Sequence, residues 1–228
     1  MRTLAAALGL SLGVLGCTSS SHLADPAPAA SISSVGAPRY LALGDSFTIG
    51  TGTTPDRAFP ARLVARCGSA VELRNVAVNG YSTQDILESE VPEVARFAPT
   101  FVTLAAGAND IVRGSSPGEY RARVRTILSA LKAAGVARVV TLPQPDWSQS
   151  PAALGFGSPA EIHARIVEAN GILREETAAV GGAYVDMFPL MESQARAGMI
   201  ARDGLHPSAA AYDAWASDLV ARGLVPCG

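Results

Sequence analysis

Ser46, His206 and Asp203 are the side chains of this sequence whose types could together move an acyl group. A serine hydroxyl is a weak nucleophile until a base takes its proton. A histidine serves as that base when a carboxylate fixes its tautomer and steadies the imidazolium. Ser46 closes Gly44-Asp45-Ser46, directly after the apolar run Tyr40 to Leu43. The chain has 3 histidines. His22 falls in a stretch of Ser, Ala and Pro, and His163 lies early in an amphipathic segment that suits a solvated or satisfied structural role. His206 remains, in Asp203-Gly204-Leu205-His206-Pro207, where Gly204 permits a turn sharp enough to bring Asp203 to the ring. The same residues also suit ordinary turn and helix-entry chemistry.

Acyl transfer further needs donors aimed at a developing oxyanion. The main-chain N–H groups of Ser46 and Gly80 and the side-chain amide of Asn109 are the candidates. Each taken alone reads equally well as a turn residue. Their joint placement carries the argument, because each follows a segment predicted to be a strand.

Those segments define the scaffold. Period and composition predict strands over 40–43, 71–78, 101–105, 138–142 and 183–185. Helices are predicted over 58–66, 83–95 (interrupted by Pro92), 119–132 and 207–222, the last with Tyr212, Trp215 and Leu219 facing in. Another starts at the capping box Ser158-Pro159-Ala160-Glu161 and buries Ile162, Ile166, Ala169 and Leu173. Alternating strands and helices imply an α/β fold: a three-layer, doubly wound parallel sheet of five strands, flavodoxin-like, in the order 2-1-3-4-5. Its switch point lies between the first and third strands, which Ser46 and Asn109 follow.

Gly44-Asp45-Ser46, Gly80, Gly107-Ala108-Asn109-Asp110 and Asp203-Gly204-Leu205-His206 resemble, in order, the four consensus blocks of the SGNH (GDSL) hydrolases. The resemblance covers about residues 39 to 222. It implies an esterase or lipase in which Ser46, Gly80, Asn109 and His206 carry catalysis and Asp203 completes the triad. Phe47 stands where that family usually has leucine, and Asp45 and Asp110 are expected to stabilise their loops. The other serine-hydrolase signature, Gly-x-Ser-x-Gly, is absent, because Thr48 occupies its second glycine position. Gly50-Thr51-Gly52 is no dinucleotide fingerprint, since Pro55 takes the third glycine position. No metal constellation is visible in the sequence, and no cofactor is expected.

Composition narrows the classes. With 228 residues, 48% hydrophobic and 17% charged, the chain suits one globular domain. A net charge of -2 gives no electrostatic case for a nucleic-acid partner. Met1-Arg2, the apolar run Leu4 to Leu15 and Cys17 read as a signal peptide over 1–16 that resembles the lipobox of bacterial lipoproteins, with Cys17 acylated. An ordinary signal peptide cut nearby is the alternative. Residues 17–38 read as a flexible tether reaching about 25 Å, and 39–228 as the hydrolase domain. The expectation is an exported, monomeric protein held at the membrane of the cell envelope through an N-terminal lipid. In a flavodoxin-like fold, Cys67 and Cys227 end helices on one face, so a disulfide is plausible; two buried thiols are the alternative.

The loop 143–157, with Trp147 and Phe156, is long enough to be functional. Together with Phe47, Tyr81 and Leu205 it would wall an apolar acyl site. The substrate expected is therefore a lipid-type or simple carboxylic ester. The alternatives are an acetyl esterase acting on polysaccharide and a non-catalytic lipoprotein that binds the envelope.

Overall fold

The computed structural model describes residues 36–68 and 70–227. The proposed signal peptide, Cys17 and most of the tether lie outside these residues. Five parallel strands form the sheet: β1 (Arg39–Gly44), β2 (Glu72–Asn75), β3 (Phe101–Ala105), β4 (Arg138–Thr141) and β5 (Ala183–Tyr184), in the order β2-β1-β3-β4-β5. This is the doubly wound order the sequence implies. The helices are α1 (Ser46–Ile49), α2 (Phe59–Val64), α3 (Thr83–Asp85), α4 (Pro92–Phe97), α5 (Ala108–Val112), α6 (Pro117–Ala133), α7 (Pro159–Val180), α8 (Phe188–Arg196) and α9 (Ala209–Ala221). A π turn, Ile86–Glu90, links α3 to α4.

β3 and nearly all of β1 are buried residue by residue, as strands covered by helices on both faces must be. Helices α2 and α9 pack on each other on one face, and α6 and α7 on the other. The core runs between these layers through Leu41, Leu43, Leu104, Ile127, Leu128 and Trp215. Glu176, on α7, pairs with Arg121 and Arg125 of α6 at 2.9 Å each, fixing how those two helices meet.

Several boundaries move for local reasons. β2 stops at Asn75, short of the expected 78, because the Asn75 side chain ends the strand. Its Oδ1 accepts the Ala77 N–H at 3.2 Å, and its Nδ2 donates to the Thr48 carbonyl at 3.0 Å. The single helix expected over 83–95 is three pieces. Pro92 has no N–H to continue an α ladder, and the Val91 N–H reaches back five residues to the Ile86 carbonyl at 3.0 Å. α6 begins at Pro117 rather than 119, since Ser116 and Glu119 form a capping box. α9 starts at Ala209, with Ser208 as its cap, which leaves His206 and Pro207 in the preceding turn. α8 is an additional helix that the periodicity of the chain does not predict.

The Cys67 and Cys227 sulfurs are bonded across a sequence separation of 160 residues. The bridge follows the ends of α2 and α9, which pack together. The neighbouring tail is held by Arg138 at the start of β4, whose guanidinium donates to the Gly223 and Val225 carbonyls. The disulfide therefore sits at the edge where strands begin, away from the carboxyl edge that bears Ser46 and Asn109.

Candidate active site

Gly44 leaves β1 at φ +154, and a Cβ there would meet the Ala105 carbonyl at 2.5 Å and Thr48 Oγ1 at 2.3 Å. Only glycine lets the chain pass so close to β3 while turning toward Ser46. Asp45 then caps α1, its Oδ1 accepting the Phe47 N–H at 3.0 Å. Ser46 opens that short helix, so its own N–H is free of the α ladder and available as a donor.

Asn109 is placed by α5, whose entry Gly107 has φ +137. One N–H of its side-chain amide donates to the Tyr81 carbonyl at 2.9 Å. That bond orients the amide and leaves its second N–H to donate elsewhere. The partner segment is the tight turn Val78–Tyr81, in which Gly80 adopts φ +85. Asp110 braces the same junction: its carboxylate accepts from the Thr83 N–H at 2.9 Å and the Thr83 hydroxyl at 2.5 Å, with Arg123 at 3.4 Å.

The Asp203–His206 turn carries the candidate base. Asp203 Oδ2 lies 2.8 Å from His206 Nδ1, and its Oδ1 accepts the Leu205 and His206 N–H groups at 2.9 and 3.0 Å. Although partial burial opposes ionisation, these donors and the adjacent ring hold the Asp203 carboxyl below the usual carboxylate range. A carboxylate so held fixes Nδ1 as the protonated nitrogen and leaves Nε2 to accept a proton. The turn is clamped from outside. The Ala201 N–H donates to the His206 carbonyl at 2.7 Å, and the Ala152 N–H to the Gly204 carbonyl at 3.1 Å. Gly52 packs under it at φ +90, where a Cβ would lie 3.2 Å from that of His206. No local pattern points to this role for Gly52, because the contact joins loops about 150 positions apart.

Ser46, Gly80, Asn109 and His206 all line one cavity of about 230 Å³. Phe47, Val112, Trp147, Phe156 and Leu205 supply its apolar wall, and no Asp, Glu, Lys or Arg is among its described lining residues. The Phe47 and His206 rings stand 5.3 Å apart, centroid to centroid. Trp147 and Phe156 meet edge to face at 6.1 Å. Tyr81 does not join the wall as expected: the turn that offers its carbonyl to Asn109 packs its ring against the hydrophobic core. Asn79, Ala108 and Val112 take part instead. The helical spacing from Asn109 to Val112 was the available signal for the last of these.

His163 stands apart from this cavity, its Nδ1 2.9 Å from Asp146 Oδ2. With Glu192 these two groups bring three ligand-type atoms within 4.8 Å of one another. Sequence spacing could not show that cluster, since its members come from a loop, α7 and α8.

Comparison with known proteins agrees with this architecture. In the curated set, the Escherichia coli (strain K12) thioesterase 1/protease 1/lysophospholipase L1 is 31% identical over 94 residues, covering 41% of this chain and 45% of that protein. The match thus spans less than half of the relative's length. Among solved structures, the lipase/acylhydrolase from Enterococcus faecalis superposes with a TM-score of 0.65 at 21% identity, over 81% of this chain and 94% of that one. An acetylxylan esterase from Geobacillus stearothermophilus gives 0.67 at 16% identity, over 84% and 96%. These two likenesses show the shared fold. The model of the GDSL-like lipase/acylhydrolase family matches residues 42–214. Matched over that span, with the family's four blocks gathered at one edge of its sheet, the chain belongs to the GDSL-like lipase/acylhydrolase family, the SGNH hydrolases.

Proposed function

We propose that the chain is a serine esterase that hydrolyses neutral carboxylic esters with short to medium acyl chains through an acyl-enzyme. One observation carries this reading: Ser46, His206 and the oxyanion candidates line a single cavity whose remaining wall, Asn79 apart, is apolar, with no Asp, Glu, Lys or Arg among its described lining residues. Ser46 Oγ attacks the ester carbonyl carbon while His206 Nε2 takes its proton. The Ser46 and Gly80 N–H groups and the Asn109 amide hold the oxyanion. Collapse breaks the bond to the alcohol oxygen, which leaves with the proton from His206. Water then attacks the acyl-enzyme by the same route, returning Ser46 and releasing the carboxylic acid. Asp203 orients His206 throughout.

The acyl preference follows from the walls. A charged acyl group would lose its hydration against Phe47, Val112 and Trp147 with no opposite charge to meet it. The volume is below the roughly 300–1,000 Å³ of drug-sized ligand sites, which favours a short chain inside the cavity. Phe156, half exposed, carries the apolar wall out to solvent. The E. coli relative's name, a thioesterase and lysophospholipase, accords with acyl-chain substrates.

Ser46→Ala and His206→Ala are each expected to lower kcat on p-nitrophenyl esters by at least about a thousandfold, and Ser46→Ala to abolish covalent labelling by a fluorophosphonate. Full activity in either variant would refute the assignment. A panel of acyl lengths and acetylated sugars reports specificity, with butyrate-like esters expected to outrun both acetylated sugars and long chains. We also propose export and anchoring through acylated Cys17. The disulfide supports an oxidising compartment, and loss of fatty-acid labelling in Cys17→Ala is the test.

A further inference from the structure

Beneath the turn that carries Ser46 lies a second acidic group the mechanism does not use. Glu90 ends the π turn and is 1% exposed. Its Oε2 accepts the Gly44 N–H at 2.8 Å, across 46 positions of sequence. Gly44 is the residue whose contorted backbone delivers Ser46, so this bond acts on the nucleophile's own hinge. π turns insert one residue into a helix and thereby re-aim a side chain. Here the insertion points a carboxyl group into the protein, while Glu88, two residues earlier, accepts from the Gln84 side-chain amide at the surface.

We propose that Glu90 is a positioning residue of the esterase site, fixing the main chain at Gly44 and so holding Ser46 in register with the oxyanion donors. The proposal rests on the esterase reading given above. Glu90 does this as a neutral acid, its carbonyl oxygen accepting the Gly44 N–H. Two observations support the neutral form. Glu90 Oε1 and Asp45 Oδ2 are both buried without a hydrogen-bond partner among the described residues, which two ionised carboxylates could not tolerate together. Burial and the nearby acids Asp45 and Asp85 also push the Glu90 carboxyl up to about 8, against the pull of the Gly44 main-chain amide. The charged groups on the other elements packed against this turn are engaged elsewhere. Arg123 of α6 faces Asp110, and Glu93 of α4 pairs with Arg74 and Arg96.

The test compares wild type, Glu90→Ala and Glu90→Gln by steady-state kinetics on p-nitrophenyl butyrate from pH 6 to 9.5, with circular dichroism to follow folding. Glu90→Ala, which has no acceptor for Gly44, is expected to lose at least about tenfold in kcat with KM within threefold. Glu90→Gln keeps a neutral acceptor and is expected to restore kcat below pH 8. Above pH 8 the wild type is expected to lose kcat as Glu90 ionises beside Asp45, and the Gln variant to hold its rate. A folded Ala variant with wild-type kcat, or a Gln variant with the wild-type alkaline decline, overturns the positioning role. If Glu90→Ala does not fold, the Gln profile alone decides. A wild-type protein that neither hydrolyses esters nor reacts with a fluorophosphonate defeats the esterase reading instead, and the positioning role with it.

Discussion

At the scale of single residues, the site divides labour between groups that would touch substrate and groups that aim them. Asn109 would do the first, but only because the Tyr81 carbonyl fixes its amide at 2.9 Å. Asp203 does the second, with three hydrogen bonds concentrated on one carboxylate. Removing a preorganised oxyanion donor typically costs roughly 3–4 kcal/mol of barrier. Asn109→Ala is therefore expected to lower kcat by about 10²- to 10³-fold with little change in KM, since the donor acts on charge that appears only in the transition state. Steady-state kinetics on a single p-nitrophenyl ester checks this, and an effect falling on KM would show that Asn109 binds the ground state instead.

Among the elements, the turns after β1, β2 and β3 matter more than the helices between them. Each packs its polar groups into the sheet rim, and the rim carries unusual acidity. Burial pushes Asp45 up to about 7, with Asp110 adding to it, and Glu90 up to about 8. Both bind a proton more tightly in the folded protein than in the unfolded chain. Their stabilisation is thus complete below the ordinary carboxylate range near pH 4 and is lost as pH climbs to about 8. Asp203 and Asp213 act in the opposite sense, because their partners hold them below that range. Their contribution is present above about pH 4 and fades as pH falls through their folded values. Conformational stability is accordingly expected to peak between about pH 4 and 5 and to fall steadily from there to pH 8.5. Urea midpoints across that range test the slope, and Glu90→Gln is expected to flatten its alkaline arm.

For the molecule as a whole, the disulfide and the site occupy opposite edges of one sheet. Closing a loop of 160 residues stabilises by up to about 5 kcal/mol through the unfolded chain. Because the bridge lies where strands begin, Cys67→Ser/Cys227→Ser is expected to lower the denaturant midpoint while leaving kcat within about twofold. A large loss of kcat in a folded double variant would show that α2 and α9 transmit strain to the Asp203–His206 turn. That outcome has a route, since Tyr212 of α9 donates to the Thr51 carbonyl at 3.1 Å, beside Gly52.

Local pattern in the chain was enough for the fold class and for which side chains are candidates for the proposed chemistry. Strand–helix alternation leaves few parallel topologies open, and the chemistry of a nucleophilic serine demands a base, an acid and donors at strand ends. Those are properties of local pattern and residue type, and Ser46, Gly80, Asn109, Asp203 and His206 are legible as candidates on that ground, their set of roles following from the resemblance to the SGNH hydrolases. How the groups are held and what walls them is a matter of long-range packing. Gly52 under His206, Tyr81 turned to the core, Val112 in the cavity and Glu90 on Gly44 all depend on contacts between segments far apart in the chain. A glutamate in a helical stretch with exposed neighbours reads as solvated. It became a buried brace because Pro92 forced an extra residue into the preceding turn, and the side-chain direction that results is set by packing, which no local pattern encodes.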